Sequence, residues 1–105
     1  DMIIVGGLNV YPREIEECLY RHPIVLEAAV IGVSDQDRGE VPKAYISLKP
    51  GTEADPKEFI LYCRKHLANY KCPRQVVLID TLPKNSTGKI DKKQIKEAVS
   101  LGLID

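Results

Sequence analysis

The sequence predicts a small α+β domain: a three-stranded sheet covered by helices, with a β-hairpin at its N-terminal end. Three observations lead to this fold. Apolar, β-branched runs are interspersed with segments of helical periodicity, those segments carry helix-start signals, and turn-forming residues separate them. The 105 residues are 44% hydrophobic and 29% charged, an ordinary globular composition that can bury a core without metals or disulfides. We therefore expect one domain over residues 1–105.

The N-terminal segment predicts a hairpin followed by a helix. Residues 1–11 contain two short strand-like runs, and Gly6-Gly7 between them signals a turn. Pro12 suits the first position of a helix, where its missing N–H costs nothing, and Pro23 ends that helix. The apolar stripe of this helix consists of Ile15, Cys18 and Leu19.

Two strands joined by a polar turn are predicted next. Residues 25–33 are apolar and β-branched, as in a mostly buried strand, and residues 34–40 form a polar turn. Apolar and polar residues then alternate from 43 to 49, which predicts a strand buried on one side only. Its core side would hold Ala44, Ile46 and Leu48, and its solvent side Lys43, Tyr45, Ser47 and Lys49.

A second helix and a third strand follow. Asp55 is a suitable N-cap, Pro56 suits the first helical position and Glu58 the third, which is close to a capping box. Residues 75–80 are predicted to form the third strand. The apolar face of the helix consists of Phe59, Ile60, Cys63, Leu67 and Ala68.

The C-terminal part predicts a loop and a last helix. Residues 81–89 are rich in turn formers and end in Lys89, but Pro83 and Ile90 stand where a P-loop needs a glycine and a hydroxyl. Lys89 is either a solvated loop charge or a mobile ammonium delivered to phosphate or carboxylate oxygens. The last helix is capped by Asp91 with Gln94, and its apolar face is Ile95, Ala98 and Val99.

The charge balance and the cysteines limit the classes of function. Fifteen basic and fifteen acidic side chains give a formal net charge of zero, which argues against nucleic acid or a membrane surface as the main partner. The apolar runs are too short to span a bilayer, and no secretory signal opens the sequence. Cys18, Cys63 and Cys72 form neither a metal pair nor a disulfide framework, so we expect no metal site and a reducing, cytoplasmic location.

Few residues are candidates for catalysis. Gly6-Gly7 is explained either by a turn that needs φ > 0 or by a ligand that must pass close to the backbone. His22 and His66 stand alone near the ends of predicted helices, where a favourable interaction with the helix dipole explains them. No complete catalytic set is present, so the chain by itself is expected to be inactive.

Two long motifs resemble those of the adenylate-forming enzymes, a superfamily that includes acyl-CoA synthetases, luciferases and non-ribosomal peptide adenylation domains. Residues 1–16 resemble its hinge-proximal motif, and residues 82–90 resemble its last core motif, which ends in a catalytic lysine. Between them, residues 29–35 and 38–45 are similar to the middle segment of the family. The resemblance covers essentially the whole chain and is to the small C-terminal domain alone, most like that of medium- or long-chain fatty-acyl-CoA synthetases.

The resemblance implies a role in two half-reactions, in which a carboxylate and ATP give an acyl-adenylate and the thiol of CoA then displaces AMP. Lys89 matches the catalytic lysine of the first step. Gly6 and Gly7 match the glycines that border the pantetheine tunnel in the second step. The segment containing Tyr70, Lys71 and Arg74 resembles one that meets the CoA nucleotide in some members of the family.

The same resemblance implies that most of the active site lies elsewhere. ATP, the carboxylic acid substrate and Mg²⁺ would be held by a large N-terminal domain of the same protein, and the hinge residue would precede Asp1. The chain would then be the mobile C-terminal domain of an AMP-forming acyl-CoA ligase, cytoplasmic or membrane-peripheral. Two alternatives stay open: part of an adenylation domain that loads a carrier protein, or a small α+β binding module without a catalytic role.

Overall fold

The computed structural model describes all 105 residues and contains one five-stranded β-sheet with helices on both faces. The predicted α+β class is confirmed, but the sheet has five strands rather than three because the N-terminal hairpin pairs with it. None of the helices is long and apolar enough to cross a membrane. In chain order the elements are β1 (Ile3–Val5), β2 (Leu8–Val10), α1 (Pro12–Tyr20), β3 (Val25–Asp35), β4 (Gly39–Leu48), α2 (Pro56–His66), a 3₁₀ turn (Asn69–Lys71), β5 (Gln75–Leu78) and α3 (Lys92–Ser100).

Strand β4 is the centre of the sheet. One of its edges pairs with β3 in antiparallel fashion along its whole length. Its other edge is shared, because β1 pairs with it at Val5–Gly39 while β5 runs parallel to it beside Lys43–Ile46. A parallel neighbour requires a long crossover, which α2 and the 3₁₀ turn supply. The hairpin and the C-terminal half of the chain therefore meet on one strand.

The turn between β3 and β4 is shorter than predicted. Asp35 Oδ2 accepts hydrogen bonds from the backbone N–H groups of Asp37 at 3.1 Å and Arg38 at 2.9 Å. Gly39 follows with φ of +84°, in the region that favours glycine. The carboxylate thus reverses the chain in a short turn, and the two strands extend into the predicted polar turn of 34–40 from both ends.

The larger of two core clusters lies between one face of the sheet and helices α1 and α2. The hairpin belongs to it, because the inward side chains of β1 and β2 are buried there. Burying each of these aliphatic side chains contributes roughly 1.5–3 kcal/mol, so the hairpin is held firmly to this cluster. Its largest members are Val5, Val10, Ile15, Leu19, Val30, Ile46 and Phe59.

A second core cluster covers the opposite face of the sheet, and it corrects the prediction that β4 is buried on one side only. Leu82 from the loop after β5 and Ile95 from α3 pack there against Tyr45, which is fully buried. Lys43 and Ser47 are buried with it. The ammonium of Lys43 lies 5.2 Å from the centre of the Tyr45 ring. The predicted solvent face of β4 is therefore a second, smaller core.

Helix α2 begins as predicted but ends sooner. Asp55 caps it by accepting a hydrogen bond from the N–H of Lys57 at 2.9 Å. The last helical residue is His66, and Leu67 is already extended at φ −129° and ψ 156°. Leu67 and Ala68 were predicted on the helix face, and both lie outside the helix. Leu67 still packs partly buried against the larger core, whereas Ala68 is exposed.

The outer edge of β3 is closed by side chains rather than by another strand. The Tyr20 hydroxyl accepts a hydrogen bond from Ala28 N at 3.1 Å and donates one to Ala28 O at 3.4 Å. Glu16 Oε2 accepts a hydrogen bond from Val30 N at 2.9 Å and pairs with Lys92 Nζ at 2.8 Å. Unpaired strand edges favour aggregation, so α1 and α3 together protect this one.

The hairpin packs beside Gly32, where the side chains of Ile3 and Glu40 occupy the space that a Cβ would need. A Cβ at this position would lie 3.1 Å from Ile3 Cγ1 and 3.1 Å from Glu40 Oε2. The same Glu40 accepts a hydrogen bond from Ile4 N through its other oxygen at 3.2 Å. Glycine at position 32 therefore leaves room for Ile3 to reach the larger core and for Glu40 to bind the backbone of β1.

Replacing Gly32 with valine should weaken the hairpin's attachment. We expect Gly32→Val to lower the free energy of unfolding by about 1–3 kcal/mol, because the new side chain overlaps Ile3 in a packed core. Urea unfolding measures this, with Ser34→Val at an exposed position of the same strand as the control, expected within about 0.5 kcal/mol of the parent. Equal midpoints for the parent and Gly32→Val would contradict the packing described.

Candidate functional site

The loop that carries Lys89 is a small hairpin standing on a buried base. Leu82 anchors its first stem in the second core, and a backbone bridge joins Lys84 to Ile90 across its base. At the tip, Asn85 N donates a hydrogen bond to Lys89 O at 2.8 Å. Gly88 has φ of +85°, which closes the turn in a conformation that favours glycine. Lys89 is thus held at the exposed end of an ordered loop.

Lys89 has no ion-pair partner within the domain, unlike the lysines on the two stems of its loop. Lys84 Nζ, before it, lies 2.9 Å from Glu27 Oε1, and Lys92 Nζ, after it, lies 2.8 Å from Glu16 Oε2. No carboxylate lies within 4.0 Å of the Lys89 ammonium. Lys84 and Lys92 are therefore neutralised within the domain, while Lys89 presents a free positive charge at the tip of the loop.

The Gly6-Gly7 turn is shaped by backbone conformation. Both residues have positive φ, +55° at Gly6 and +85° at Gly7, as in the type I′ turns that suit hairpins. Gly6 N donates a hydrogen bond to Arg38 O at 2.9 Å, which ties the turn to the β3–β4 connection. A Cβ at Gly7 would meet nothing within 4 Å, so the outer side of the turn is open.

The two predicted site elements are anchored on opposite faces of the sheet. The hairpin packs through Ile3, Val5 and Val10 into the larger core with α1 and α2. The Lys89 loop packs through Leu82 into the second core with α3. Because the sheet separates the two cores, the structure does not bring Lys89 and Gly7 into one pocket.

A cleft rich in arginine lies beside the hairpin turn. It has a volume of about 280 Å³, and its lining is largely polar. Arg38 contacts both this cleft and the turn. Its backbone oxygen accepts the hydrogen bond from Gly6 N, and its Cδ lies 3.9 Å from where a Cβ on Gly6 would be. The lining residues are Arg38, Arg64, Asn69, Cys72, Pro73 and Arg74.

Of the three residues predicted near a CoA nucleotide, only Arg74 lines this cleft. Lys71 Nζ instead lies 3.0 Å from Glu14 Oε1, and its hydrogen bond to Glu14 raises the pKa of Lys71. Tyr70 packs partly buried against the larger core, with Lys71 Nζ 5.8 Å from its ring centre. Arg38 and Arg64 were not predicted, because one is in a turn and the other resembles an ordinary basic residue at a helix end.

The two histidines have structural partners. His22 Nε2 lies 2.7 Å from Glu58 Oε2, and its Nδ1 accepts a hydrogen bond from Ile24 N at 3.3 Å. The His66 ring packs against the Tyr62 ring with centres 4.6 Å apart. No group of three His, Cys, Asp or Glu side chains is arranged to hold a metal ion. None of these partners belongs to the Lys89 loop or to the glycine turn.

A family model described as AMP-binding enzyme C-terminal domain matches residues 14–89. The chain belongs to this family. The match begins in α1 and ends at Lys89, so it includes β3 to β5, the arginine cleft and the whole Lys89 loop. The resemblance to the adenylate-forming enzymes, stated above on sequence motifs, is confirmed.

Individual relatives are acyl-CoA ligases. The chain is 52% identical over 97 residues to the 3-[(3aS,4S,7aS)-7a-methyl-1,5-dioxo-octahydro-1H-inden-4-yl]propanoyl:CoA ligase of Mycobacterium tuberculosis, covering 92% of this chain and 19% of that protein. It is 45% identical over 97 residues to a mitochondrial medium-chain acyl-CoA ligase of Danio rerio, covering 92% and 16%. A solved structure of a fatty acyl CoA synthetase of Mycobacterium tuberculosis matches with a TM-score of 0.87 at 41% identity, covering 97% and 20%. The chain thus spans less than a quarter of each of these three proteins.

The three cysteines are all buried free thiols. Cys18 and Cys63 belong to the facing helices α1 and α2, and Cys72 lies under the arginine cleft, with its thiol directed to Ala68 O at 3.5 Å. Burial raises the pKa of all three thiols. Because the thiolate is the reactive form, these cysteines belong to the core and are not nucleophiles of the site.

The buried thiols should make the domain less stable at alkaline pH. Since their pKa values are raised in the folded chain, the unfolded chain loses its thiol protons first, so their contribution to stability is full below pH about 8 and falls above about 8.5. The loss is at most about 1.4 kcal/mol per pH unit for each thiol. Urea unfolding from pH 7 to 10.5 measures it, and Cys63→Ala should show a shallower alkaline decline than the parent because one buried thiol is gone.

The same variant tests whether the thiol is buried. We expect Cys63→Ala to lower stability at pH 7 by about 1–2 kcal/mol, since a small void replaces the sulfur. Parallel alkaline declines in the two proteins would contradict the raised thiol pKa.

Proposed function

We propose that the chain is the mobile C-terminal domain of an AMP-forming acyl-CoA ligase. In the first half-reaction a carboxylate oxygen attacks the α-phosphorus of ATP, giving an acyl-adenylate and pyrophosphate. In the second, the thiol of CoA attacks the acyl carbon and AMP leaves. The observation that carries the proposal is that a free lysine and an open glycine turn are anchored in two different cores, on opposite faces of one sheet. Such a domain presents one face in each half-reaction by rotating against a fixed pocket.

Lys89 is the catalytic residue that we assign to the first half-reaction. Its ammonium is unpaired within the domain and stands at the end of an ordered loop, so it can approach the carboxylate and the α-phosphate together. Negative charge is concentrated between these two groups as they react. A positioned cation there stabilises the transition state without reorganisation of solvent.

Gly6 and Gly7 serve the second half-reaction by leaving room for the thiol arm. The open space outside Gly7 supports this assignment, because any side chain there would project away from the domain toward the arm. The positive φ values give a second reason for glycine, since they are strained for other residues. The turn therefore presents bare backbone where a narrow pantetheine chain would pass.

The arginine cleft is the site that we assign to the phosphates of the CoA nucleotide. Arg38, Arg64 and Arg74 converge on it, and guanidinium groups are well suited to bind phosphate oxygens in pairs. Arg38 also contacts the glycine turn, so the cleft lies next to the turn, as a bound nucleotide with its pantetheine arm requires. Tyr70 lies two residues before the cleft residue Cys72 and is not among the lining residues.

The cleft favours CoA over a carrier protein as the thiol acceptor. CoA carries a 3′-phosphate and a diphosphate beside its pantetheine, whereas the arm of a carrier protein has a single phosphate already joined to a serine. Three converging arginines match the more highly charged group. The loading of a carrier protein stays the second candidate, and it needs no such cleft.

A large N-terminal domain of the same protein would complete the active site. It would hold ATP, the carboxylic acid and Mg²⁺, and it would decide which acid is activated. No group of acidic or other ligand side chains in this chain is arranged to hold a metal ion, so we derive no step through Mg²⁺. Three buried free thiols agree with the reducing cytoplasm as the location of the protein.

Lys89 and Gly7 should fail in different half-reactions when they are substituted in the full-length enzyme. Lys89→Ala should lower the rate of acyl-adenylate formation ~10²-fold or more, because the bridging charge is lost, and should still convert supplied acyl-adenylate and CoA to thioester. Gly7→Leu should do the reverse, with pyrophosphate exchange retained and thioester formation stopped. Gly7→Ala controls for backbone strain and should keep more thioester formation than Gly7→Leu. Loss of the same step in Lys89→Ala and Gly7→Leu would disprove the assignment to two faces.

The arginine cleft is tested through the KM for CoA. Arg64→Ala in the full-length enzyme should raise this KM about tenfold, the loss expected for one charged hydrogen bond, and should leave adenylate formation unchanged. Lys65→Ala is the matched control, because Lys65 is exposed on the same helix and does not line the cleft. An equal KM for CoA in both variants would remove the cleft from the CoA site.

A further inference from the structure

The tip of the Lys89 loop has no apolar contact to hold its shape. Every residue from 84 to 89 is exposed, and none belongs to either core cluster. Ordering an exposed backbone costs conformational entropy, so a loop of this kind needs specific bonds to keep one conformation. The side chain of Asn85 makes most of them.

Asn85 closes the loop into a ring around one oxygen. Its Oδ1 accepts hydrogen bonds from Thr87 Oγ1 at 2.7 Å, from Thr87 N at 2.9 Å and from Lys89 N at 3.1 Å. Its backbone adds two more, with Asn85 N donating to Lys89 O at 2.8 Å and Asn85 O accepting from Gly88 N at 3.0 Å. The backbone amide of Lys89 is therefore hydrogen-bonded directly to the Asn85 side chain. Three donors share the single acceptor Oδ1.

We propose that Asn85 is a positioning residue for Lys89: its side-chain oxygen fixes the backbone of Lys89 so that the ammonium reaches the reacting atoms. The inference rests on the catalytic role proposed above for Lys89. Asn85 acts only through Lys89, and it has no contact with substrate. Misplacement of a catalytic group by about 1 Å can cost ~10²-fold in rate, so a loosened loop slows the first half-reaction without loss of the charge itself.

The base of the loop does not depend on Asn85. Leu82 and Ile95 are buried in the second core on either side of it. Lys84 and Lys92 pair with Glu27 and Glu16, at 2.9 Å and 2.8 Å, and hold the two stems against the rest of the domain. Removing the Asn85 oxygen therefore disturbs the tip and leaves the fold and the start of α3 in place.

The role of the oxygen can be separated from the role of the side chain's size. All three side-chain bonds of Asn85 end at Oδ1, and Nδ2 has no partner in the chain. Aspartate keeps an acceptor oxygen in the same place, while leucine has a similar size and no acceptor. Ser86 is a control on the same tip, because it is exposed and its side chain makes no hydrogen bond within the chain.

The experiment compares Asn85→Leu, Asn85→Asp and Ser86→Ala in the full-length enzyme, with each half-reaction measured separately. Asn85→Leu should lower the kcat of acyl-adenylate formation about tenfold or more, with the KM for ATP within about twofold of the parent. Asn85→Asp should stay within about threefold of the parent, and Ser86→Ala should match it. Thioester formation from supplied acyl-adenylate should be unchanged in all three variants.

Lys89→Ala and the double variant Asn85→Leu/Lys89→Ala complete the test. The double variant should be no slower than Lys89→Ala alone, because Asn85 acts through Lys89. If Lys89→Ala itself leaves adenylate formation intact, the proposed function of Lys89 fails. If Lys89→Ala is inactive in that step and Asn85→Leu is normal, equals Asn85→Asp, or loses both half-reactions together, the positioning role is overturned and the role of Lys89 stands.

Discussion

Strand β4 is buried on both faces, and the rest of the structure depends on covering it. Ala44 and Ile46 face α1 and α2, while Tyr45 faces Leu82 and α3. A strand covered on one side would leave the large Tyr45 ring in water, at a cost of roughly 1.5–3 kcal/mol of burial. Because helices cover both faces, the hairpin that leads into α1 and the Lys89 loop that leads into α3 are anchored on opposite faces of the sheet. The separation of the Lys89 loop from the glycine turn is thus a consequence of how this strand is packed.

The charges of the domain divide into pairs that hold it together and cations that are left free. Acidic residues predominate in the first two thirds of the chain and basic residues in the last third, and the pairs join these parts. Lys84 and Lys92 pair with Glu27 and Glu16 across the edge of β3, and Lys71 pairs with Glu14. Lys89 and the three arginines of the cleft, at the two places where an anionic substrate is proposed to bind, are among the cations that no carboxylate pairs with.

Most of the local structure could be predicted from the sequence, but little of the tertiary arrangement could. Asp55 and Asp91 were predicted as helix caps, and both accept hydrogen bonds from the first helical N–H groups. The alternation along β4 was interpreted as one buried face because Lys43, Tyr45 and Ser47 all carry polar atoms, although long or aromatic side chains also bury well. The convergence of Arg38, Arg64 and Arg74 comes from three separate elements, and no spacing in the sequence records it.

The two exposed tips keep their shape by different physical means. At Gly6 and Gly7 the backbone itself makes the turn, since positive φ values are accessible there without any side-chain bond. The Lys89 loop has to carry a side chain outward, so glycine alone cannot define it, and a side-chain acceptor at Asn85 supplies the missing constraint. A domain that offers two tips in turn to one pocket, as proposed above, cannot bury either tip in its own core. Rigidity at both tips must therefore come from local bonding and backbone geometry, with the two cores fixing only their bases.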